Sequence, residues 1–415
     1  MGVMFMKKVV TDILNKKIYE EDKLNKVNEV DEVIKISKNK IVTFFSGLGG
    51  ALTPASTINY KKLDSYNKNK FITAYFKELN YKFIRLPIGS CDFAEYSYDF
   101  YKPFGFTMKE DEINILPLLD IIRDYQVTYI ASPWTPPAIW KLPLFNRLRR
   151  LCYGRYAKYL IKYLKYYQTQ SINIDYISIQ NEPDASQRWE SCVWSKKAQR
   201  DFIKDYMIPN LNKSDLNTKI MLHDHNTDNL SKSIDKIYVD DERVGAIAFH
   251  WYTGSYFEEL NKVHKKYPKL LLIESEMSCG WSPYNEYEWI NDAELYANEI
   301  IGNINSGMNI FVDWNLLLDE EGGPNHKKNY VKAPIIRHED EIIKTPIYHY
   351  LRHISNHTEE LVYETKYKNL KVIASQSDNK TIITVLNNSN NNINFEIEGL
   401  LKDSINKHSI ITYTI

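Results

Sequence analysis

The stretch Ile174-Asp175-Tyr176-Ile177-Ser178-Ile179-Gln180-Asn181-Glu182-Pro183 decides how the rest of the chain is read. Its first seven residues form a short β-branched and aromatic run, which predicts a buried strand, and the run stops on Asn181-Glu182-Pro183. Just upstream, Tyr156, Tyr159, Leu160, Tyr163 and Leu164 recur at helical spacing and predict a helix over Arg155–Tyr167. Helix and strand in this order form one unit of a repeating pattern. Comparable runs occur at Ile41–Ser46, Lys82–Pro87, Val127–Ser132, Ile174–Gln180, Lys219–Asp224, Val244–His250, Leu270–Ser275 and Met308–Trp314, separated by helix-length amphipathic stretches. Eight alternations predict an α/β fold, the (β/α)8 TIM barrel, whose strands are buried on both faces and read as continuous apolar runs.

The unusual polar and aromatic residues fall at or just past the ends of these runs. In order they are Gly49-Gly50, Ser90-Cys91-Asp92, Trp134, Asn181-Glu182, Asp224 with His225, His250 with Tyr252, Glu276, and Trp314-Asn315. A barrel collects all of them at one mouth, where its active site lies. Two glutamates at strand ends suit glycosidic hydrolysis, in which one carboxylic acid protonates the leaving oxygen while a second carboxylate attacks or stabilises the anomeric carbon. Glu182 and Glu276 are the catalytic candidates. The fourth and seventh strands lie three apart in an eight-strand ring, so their tips can face each other. A separation of about 5–5.5 Å would imply a covalent intermediate and retention of configuration. Two alternatives stay open on the residues alone. Asn181-Glu182-Pro183 could cap the following helix, and Glu274 rivals Glu276, because strand alternation puts both on one side. Gly47-Leu48-Gly49-Gly50 lacks the Lys-Ser/Thr of a phosphate loop and reads as a tight turn permitting close backbone approach. His225 and His250 beside Asp224 lack a close ligand cluster, so hydrogen-bonding roles are expected, with no metal and no cofactor.

From about Glu359 the texture changes to strands at Leu370–Ser375, Thr381–Leu386, Ile393–Ile397 and Ser409–Thr414, with a turn over Asn387–Asn392. These predict a small accessory antiparallel β-sandwich domain, to which Val33–Ser37 adds a strand. The expected division is residues 1–39 as an N-terminal part of that domain, 40–355 as the catalytic barrel and 356–415 as the C-terminal sandwich. Residues 1 to about 30, rich in Lys, Glu, Asp and Asn, read as partly mobile. The 53 basic and 53 acidic side chains cancel, so nothing global favours nucleic acid or an anionic surface, and a neutral substrate is expected. Four cysteines, Cys91, Cys152, Cys192 and Cys279, are too far apart for a zinc site and too few for a disulfide scaffold. Neither a secretory signal nor an integral membrane segment is visible, so a cytoplasmic location is expected; oligomeric state is not legible.

These residues together resemble glycoside hydrolase family 30, which includes the glucosylceramidases. The resemblance runs through Gly47-Leu48-Gly49-Gly50-Ala51, Arg85-Leu86-Pro87, Ser90-Cys91-Asp92-Phe93, Ser132-Pro133-Trp134-Thr135, Asn181-Glu182-Pro183, His250-Trp251-Tyr252, Ser275-Glu276 and Asp313-Trp314-Asn315-Leu316. It continues through Glu321-Gly322-Gly323-Pro324-Asn325 and Ala333-Pro334-Ile335-Ile336. It implies a retaining mechanism with Glu182 as acid/base and Glu276, in preference to Glu274, as nucleophile. It also implies sugar contacts from Asp92, Trp134, Asn181, Trp314 and Asn329; His250 and Tyr252 complete the substrate-binding candidates. The substrate implied is a small-molecule, oligosaccharide or glycolipid β-glycoside, glucose-like in its first subsite. β-Xylosidase, β-fucosidase and β-1,6-glucanase activities are alternatives of the same chemistry, and a non-catalytic carbohydrate-binding protein is one of a different class. The sequence departs from the glucosylceramidase pattern at Pro54, at Ser278, in a shortened loop after Trp140, and in Arg188-Trp189-Glu190-Ser191. All of these lie where the group attached to the sugar would be met.

Overall fold

The computed structural model describes residues 6–102, 105–142, 144–377 and 380–415. Eight parallel strands close into a barrel in chain order: β1 Gly47–Ala51, β2 Phe83–Ile88, β3 Thr128–Pro133, β4 Ile174–Ile177, β5 Lys219–Asn226, β6 Val244–His250, β7 Leu271–Glu276 and β8 Ile310–Asp313. β8 pairs back onto β1, with Ile310 opposite Gly47. The helix expected over Arg155–Tyr167 spans Tyr153–Thr169 and buries its tyrosines and leucines against the barrel core.

Seven of the eight expected runs meet these strands, and the first does not. Ile41–Ser46 overlaps the end of a long strand, Glu32–Phe45, which pairs antiparallel with Glu360–Lys366 outside the barrel. β1 is instead the glycine run that reads as a turn. A Cβ on Gly49 would lie 2.3 Å from the Phe83 carbonyl oxygen, and one on Gly50 would lie 2.4 Å from Leu316. Only glycine lets β1 lie so close to β2 and to the chain beyond β8, and glycine carries no strand signal. The 32–45 run, by contrast, leaves Ile41 and Phe44 exposed. That one-sided burial does not suit a barrel strand.

The barrel interior is filled in layers. Phe83, Ile130, Met221, Ala246, Ala248, Ile273, Ile310 and Val312 form an apolar cluster low in the barrel. Above it the inward positions turn polar, as described below.

The second unit is a nine-stranded sheet. Its spatial order is Lys17–Asp22, Lys7–Asp12, Ser409–Thr414, Lys380–Asn387, Lys371–Ser377, Glu360–Lys366, Glu32–Phe45, Ile393–Ile397 and Leu401–Ile405. One core joins Val372, Ala374, Ile383 and Val385 to Phe395, Ile397, Leu401 and Ile405, so the last two strands fold back over the middle of the sheet as a sandwich. The opposite face, with Val362, Ile373, Leu386 and Ile410, packs on the barrel's helices. The N-terminal segment corrects the expectation of mobility, although residues 1–5 lie outside the described residues. Lys7–Asp12 and Lys17–Asp22 form an ordered hairpin at the sheet's edge. Its polar residues are matched by specific partners, notably a buried ion pair of Lys8 with Asp403 at 2.8 Å, so its composition misleads. Among the described residues no helix is long and apolar enough to cross a membrane.

Candidate active site

Climbing the barrel from its apolar layer, the next inward residues are Arg85 two above Phe83, Ser132 two above Ile130, and Ser275 two above Ile273. They surround Asp224. This fully buried carboxylate accepts hydrogen bonds from the hydroxyls of Ser132 at 2.8 Å, Ser178 at 2.6 Å and Ser275 at 2.7 Å. The Arg85 guanidinium lies at 3.3 Å and the His250 imidazole at 3.2 Å. Burial alone would raise Asp224, but the Arg85 cation, His250 and the Ser178 hydroxyl hold it far below the usual carboxylate range. Asp224 reaches this position because β5 carries an extra residue. His223 pairs with Ala248 and His225 with Phe249, while His223 and Asp224 both take positive φ values, 75° and 52°.

β7 shows the same device. Phe249 pairs with Glu274 and His250 with Glu276, so Ser275 is the extra residue. The slip breaks the alternation that would put both glutamates on one side. Glu274 turns outward, where its carboxyl accepts from Asn303 at 2.9 Å and burial pushes it up to about 8. Ser275 and Glu276 both turn inward. One oxygen of Glu276 accepts from Arg85 at 2.6 Å and the other from the Tyr252 hydroxyl at 3.0 Å.

Glu182 sits across the mouth, just past β4. It has a positive φ of 48°, and its N–H donates to the Asp224 carbonyl at 2.9 Å. Its carboxyl faces His250 Nδ1 at 3.4 Å and the Gln187 amide at 3.5 Å. Burial would raise Glu182, but His250 outweighs it and lowers the group. Burial would likewise lower His250, yet Glu276, Asp224 and Glu182 around it push it up to about 9. These three carboxylates favour the protonated imidazole near neutral pH.

The cavity, about 340 Å³, is lined by Asp92, Trp134, Asn181, Glu182, Tyr252, Glu276, Trp314 and Asn329, together with Gln187, Trp189 and Tyr330. Trp134 and Trp314 stack with ring centroids 5.1 Å apart, and the Arg85 guanidinium lies 4.9 Å from the Trp134 ring centroid. Asn181 gives its oxygen to Arg85 at 2.8 Å, which leaves its NH₂ as the end available to a ligand. Asp92 accepts from Asn325 at 3.1 Å and Asn329 at 3.0 Å; burial outweighs both bonds and pushes it up to about 7.

A cavity of this shape, with two carboxyl groups at strand ends and stacked indoles, suits sugar chemistry, and comparison with known proteins agrees. Residues 45–358 match the profile of the Glycosyl hydrolase family 30 TIM-barrel domain. The chain belongs to glycosyl hydrolase family 30. It is a glycosidase. It is 26% identical over 412 residues to the lysosomal acid glucosylceramidase of Mus musculus, covering 88% of this chain and 80% of that one. It is 28% identical over 302 residues to an endo-1,6-beta-D-glucanase of Neurospora crassa, covering 67% and 62%. The crystal structure of SrfJ from Salmonella typhimurium superposes with a TM-score of 0.92 at 26% identity over 99% of both chains.

Of the residues singled out in the sequence, this family 30 cavity brings Asp92, Trp134, Asn181, Glu182, Tyr252, Glu276, Trp314 and Asn329 to one wall or another. His250 is not among the lining residues. It is fully buried beneath the cavity, between Glu182 and Asp224. His225 stands 3.9 Å from Asp184. No group of His, Cys, Asp and Glu that could hold a metal occurs among the described residues, and all four cysteines are buried and free. Sequence reasoning missed the roles of Arg85 and the serine ring. The available signal was an arginine inside a strand otherwise wholly apolar, Phe83–Ile88. A charged residue is almost never fully buried without a partner.

Proposed function

We propose that this family 30 glycosidase is a retaining β-glucosidase in which Glu276 is the nucleophile and Glu182 the acid/base. One observation carries the reading: two carboxyl groups share a cavity but have unlike partners. Glu276 is oriented by a permanently charged guanidinium and a phenol, a setting for attack on the anomeric carbon. Glu182 is coupled to a group that can exchange a proton. In the first step Glu276 bonds to the anomeric carbon as the Glu182–His250 pair delivers its proton, through Glu182, to the leaving oxygen. In the second step Glu182 takes a proton from the water that displaces Glu276, and the sugar leaves with its original configuration.

Asn181 is placed to donate to the 2-hydroxyl, a bond that strengthens towards the transition state. Asp92, held by two asparagines on another wall, suits hydroxyls at the far end of a glucose-like ring. The similarity to the mouse enzyme makes a glycolipid aglycone the favoured substrate, and the similarity to the Neurospora enzyme makes a 1,6-linked glucan its rival. A panel of nitrophenyl β-glycosides, glucosylceramide and 1,6-linked gluco-oligosaccharides, with the anomer released read by NMR, tests the whole proposal. Turnover of the glucoside with a β-anomeric first product is expected. Cleavage of xylosides or fucosides without glucosides would overturn the sugar assignment, and an α-anomeric first product would overturn retention.

A further inference from the structure

In Arg188-Trp189-Glu190-Ser191, on the loop beyond β4, Trp189 lines the cavity but Glu190 does not. The Glu190 side chain is only 4% exposed, and among the described residues no lysine or arginine pairs with it. It meets His326 instead, on the loop beyond β8: Glu190 Oε1 lies 3.3 Å from His326 Nε2, and the His326 side chain is 10% exposed. The Ser90 hydroxyl, on the loop beyond β2, reaches the same carboxylate oxygen at 3.2 Å. A carboxylate is almost never so deeply buried without a partner. Here the partners come from two other loops of the mouth.

His326 is held at its other edge by the chain around Asp92. Its Nδ1 lies 3.0 Å from the Asp92 carbonyl oxygen and 3.1 Å from that of Ala94. Both oxygens can only accept, so Nδ1 carries the hydrogen. The His326 N–H also donates to the Asp92 carbonyl, at 3.1 Å. Asn325 and Asn329, whose amides hold the Asp92 carboxyl, belong to the same loop, and Asn325 Oδ1 accepts from the N–H groups of Lys327 and Asn329 at 2.8 and 3.2 Å. Residues 325–329 thus grip Asp92 by backbone and side chain together. Glu190 is tied in a similar way to Glu182. Its neighbour Ser191 accepts from the Gln187 N–H at 3.0 Å, and the Gln187 amide reaches the Glu182 carboxyl at 3.5 Å.

We propose, resting on the roles given above to Asp92 and Glu182, that Glu190 and His326 are positioning residues whose contact latches the Asp92 wall to the acid/base loop. The latch sets the span between the far-end hydroxyls of the sugar and its leaving oxygen. Neither residue touches the sugar; each acts through a group that does. Without the latch Asp92 keeps its two asparagines, but their loop loses its tie to the opposite wall. Recognition of the far-end hydroxyls then suffers more than chemistry at the anomeric carbon.

The test compares Glu190→Ala, His326→Asn and their combination in the full chain. Asparagine keeps a donor for the Asp92 and Ala94 carbonyls but cannot reach Glu190. Hydrogen exchange read by mass spectrometry should show each single substitution speeding exchange in the loop opposite its own, 320–331 for Glu190→Ala and 183–194 for His326→Asn. On nitrophenyl β-glucoside each should lower kcat/KM about tenfold, through KM, the equivalent of roughly one hydrogen bond. The 4,6-dideoxyglucoside, which lacks the far-end hydroxyls, should lose less than about twofold by the same reasoning. The double variant should fall no further than the worse single one, because both cut one contact. Unchanged exchange in the opposite loops overturns the latch. So do additive losses in the double variant, or equal losses on the two substrates, which a merely structural role would give. A wild type that ignores glucosides overturns the glucose assignment alone; the exchange experiment needs no substrate and still decides the latch.

Discussion

Glu182 and Glu276 face one cavity, yet the protein surrounds them differently. Glu276 is gripped by Arg85, which cannot give up its charge, and by the Tyr252 hydroxyl. Glu182 leans on His250, which can. Asp224 underlies both, touching Arg85 on one side and His250 on the other. The difference teaches that two chemically alike carboxyl groups take unlike characters from the residues that support them.

The comparison is most sharply tested by removing one member. Glu276→Ala should lower kcat on the order of 10⁴- to 10⁶-fold, and azide should restore turnover of an activated glycoside with inverted product. Failure of azide rescue with the fold intact would remove Glu276 from the nucleophile's role. Glu182→Ala should cost about 10²- to 10⁴-fold on poor leaving groups and much less on dinitrophenyl glycosides, which need no proton. Equal losses on both would break the distinction. Arg85→Met deprives buried Asp224 of its permanent cation, so urea unfolding should show a loss of about 3–5 kcal/mol; an unchanged midpoint would mean that His250 and the serine ring sustain that charge.

The smallest effect concerns pH. The imidazole is raised to about 9 in the folded protein. Its contribution to stability is therefore complete below the ordinary histidine range and is lost as pH rises through about 9. The proton of the Glu182 pair should persist to the same limit. In His250→Gln that proton has only the carboxyl to rest on, and the basic limb of kcat/KM should move to lower pH. An unmoved limb would mean that the proton resides elsewhere.

Much of the barrel was legible because seven strands are buried on both faces and announce themselves as apolar runs with polar endings. β1 was not, because its fit depends on side chains being absent at Gly49 and Gly50, and only the neighbours Phe83 and Leu316 reveal why. The catalytic candidates were legible as residue types at strand ends. The side on which each lies was not, since simple alternation pairs Glu274 with Glu276, and an extra residue whose existence depends on β6 separates them. Arg85 was visible as an anomaly in Phe83–Ile88, but its partners come from β3, β5, β7 and the segment just past β4, which no local pattern connects.

The slip in β7 also bears on how replaceable Glu276 is. A second glutamate only two positions upstream looks like redundancy, a reserve carboxylate that a small shift of the strand could bring into use. The extra residue removes that reserve: Glu274 is in another compartment, bonded to Asn303 and raised by burial, and reaching the sugar would require re-registering the whole strand. The chain therefore has no spare for Glu276, and suppressors of its loss should be sought among added nucleophiles rather than among its neighbours.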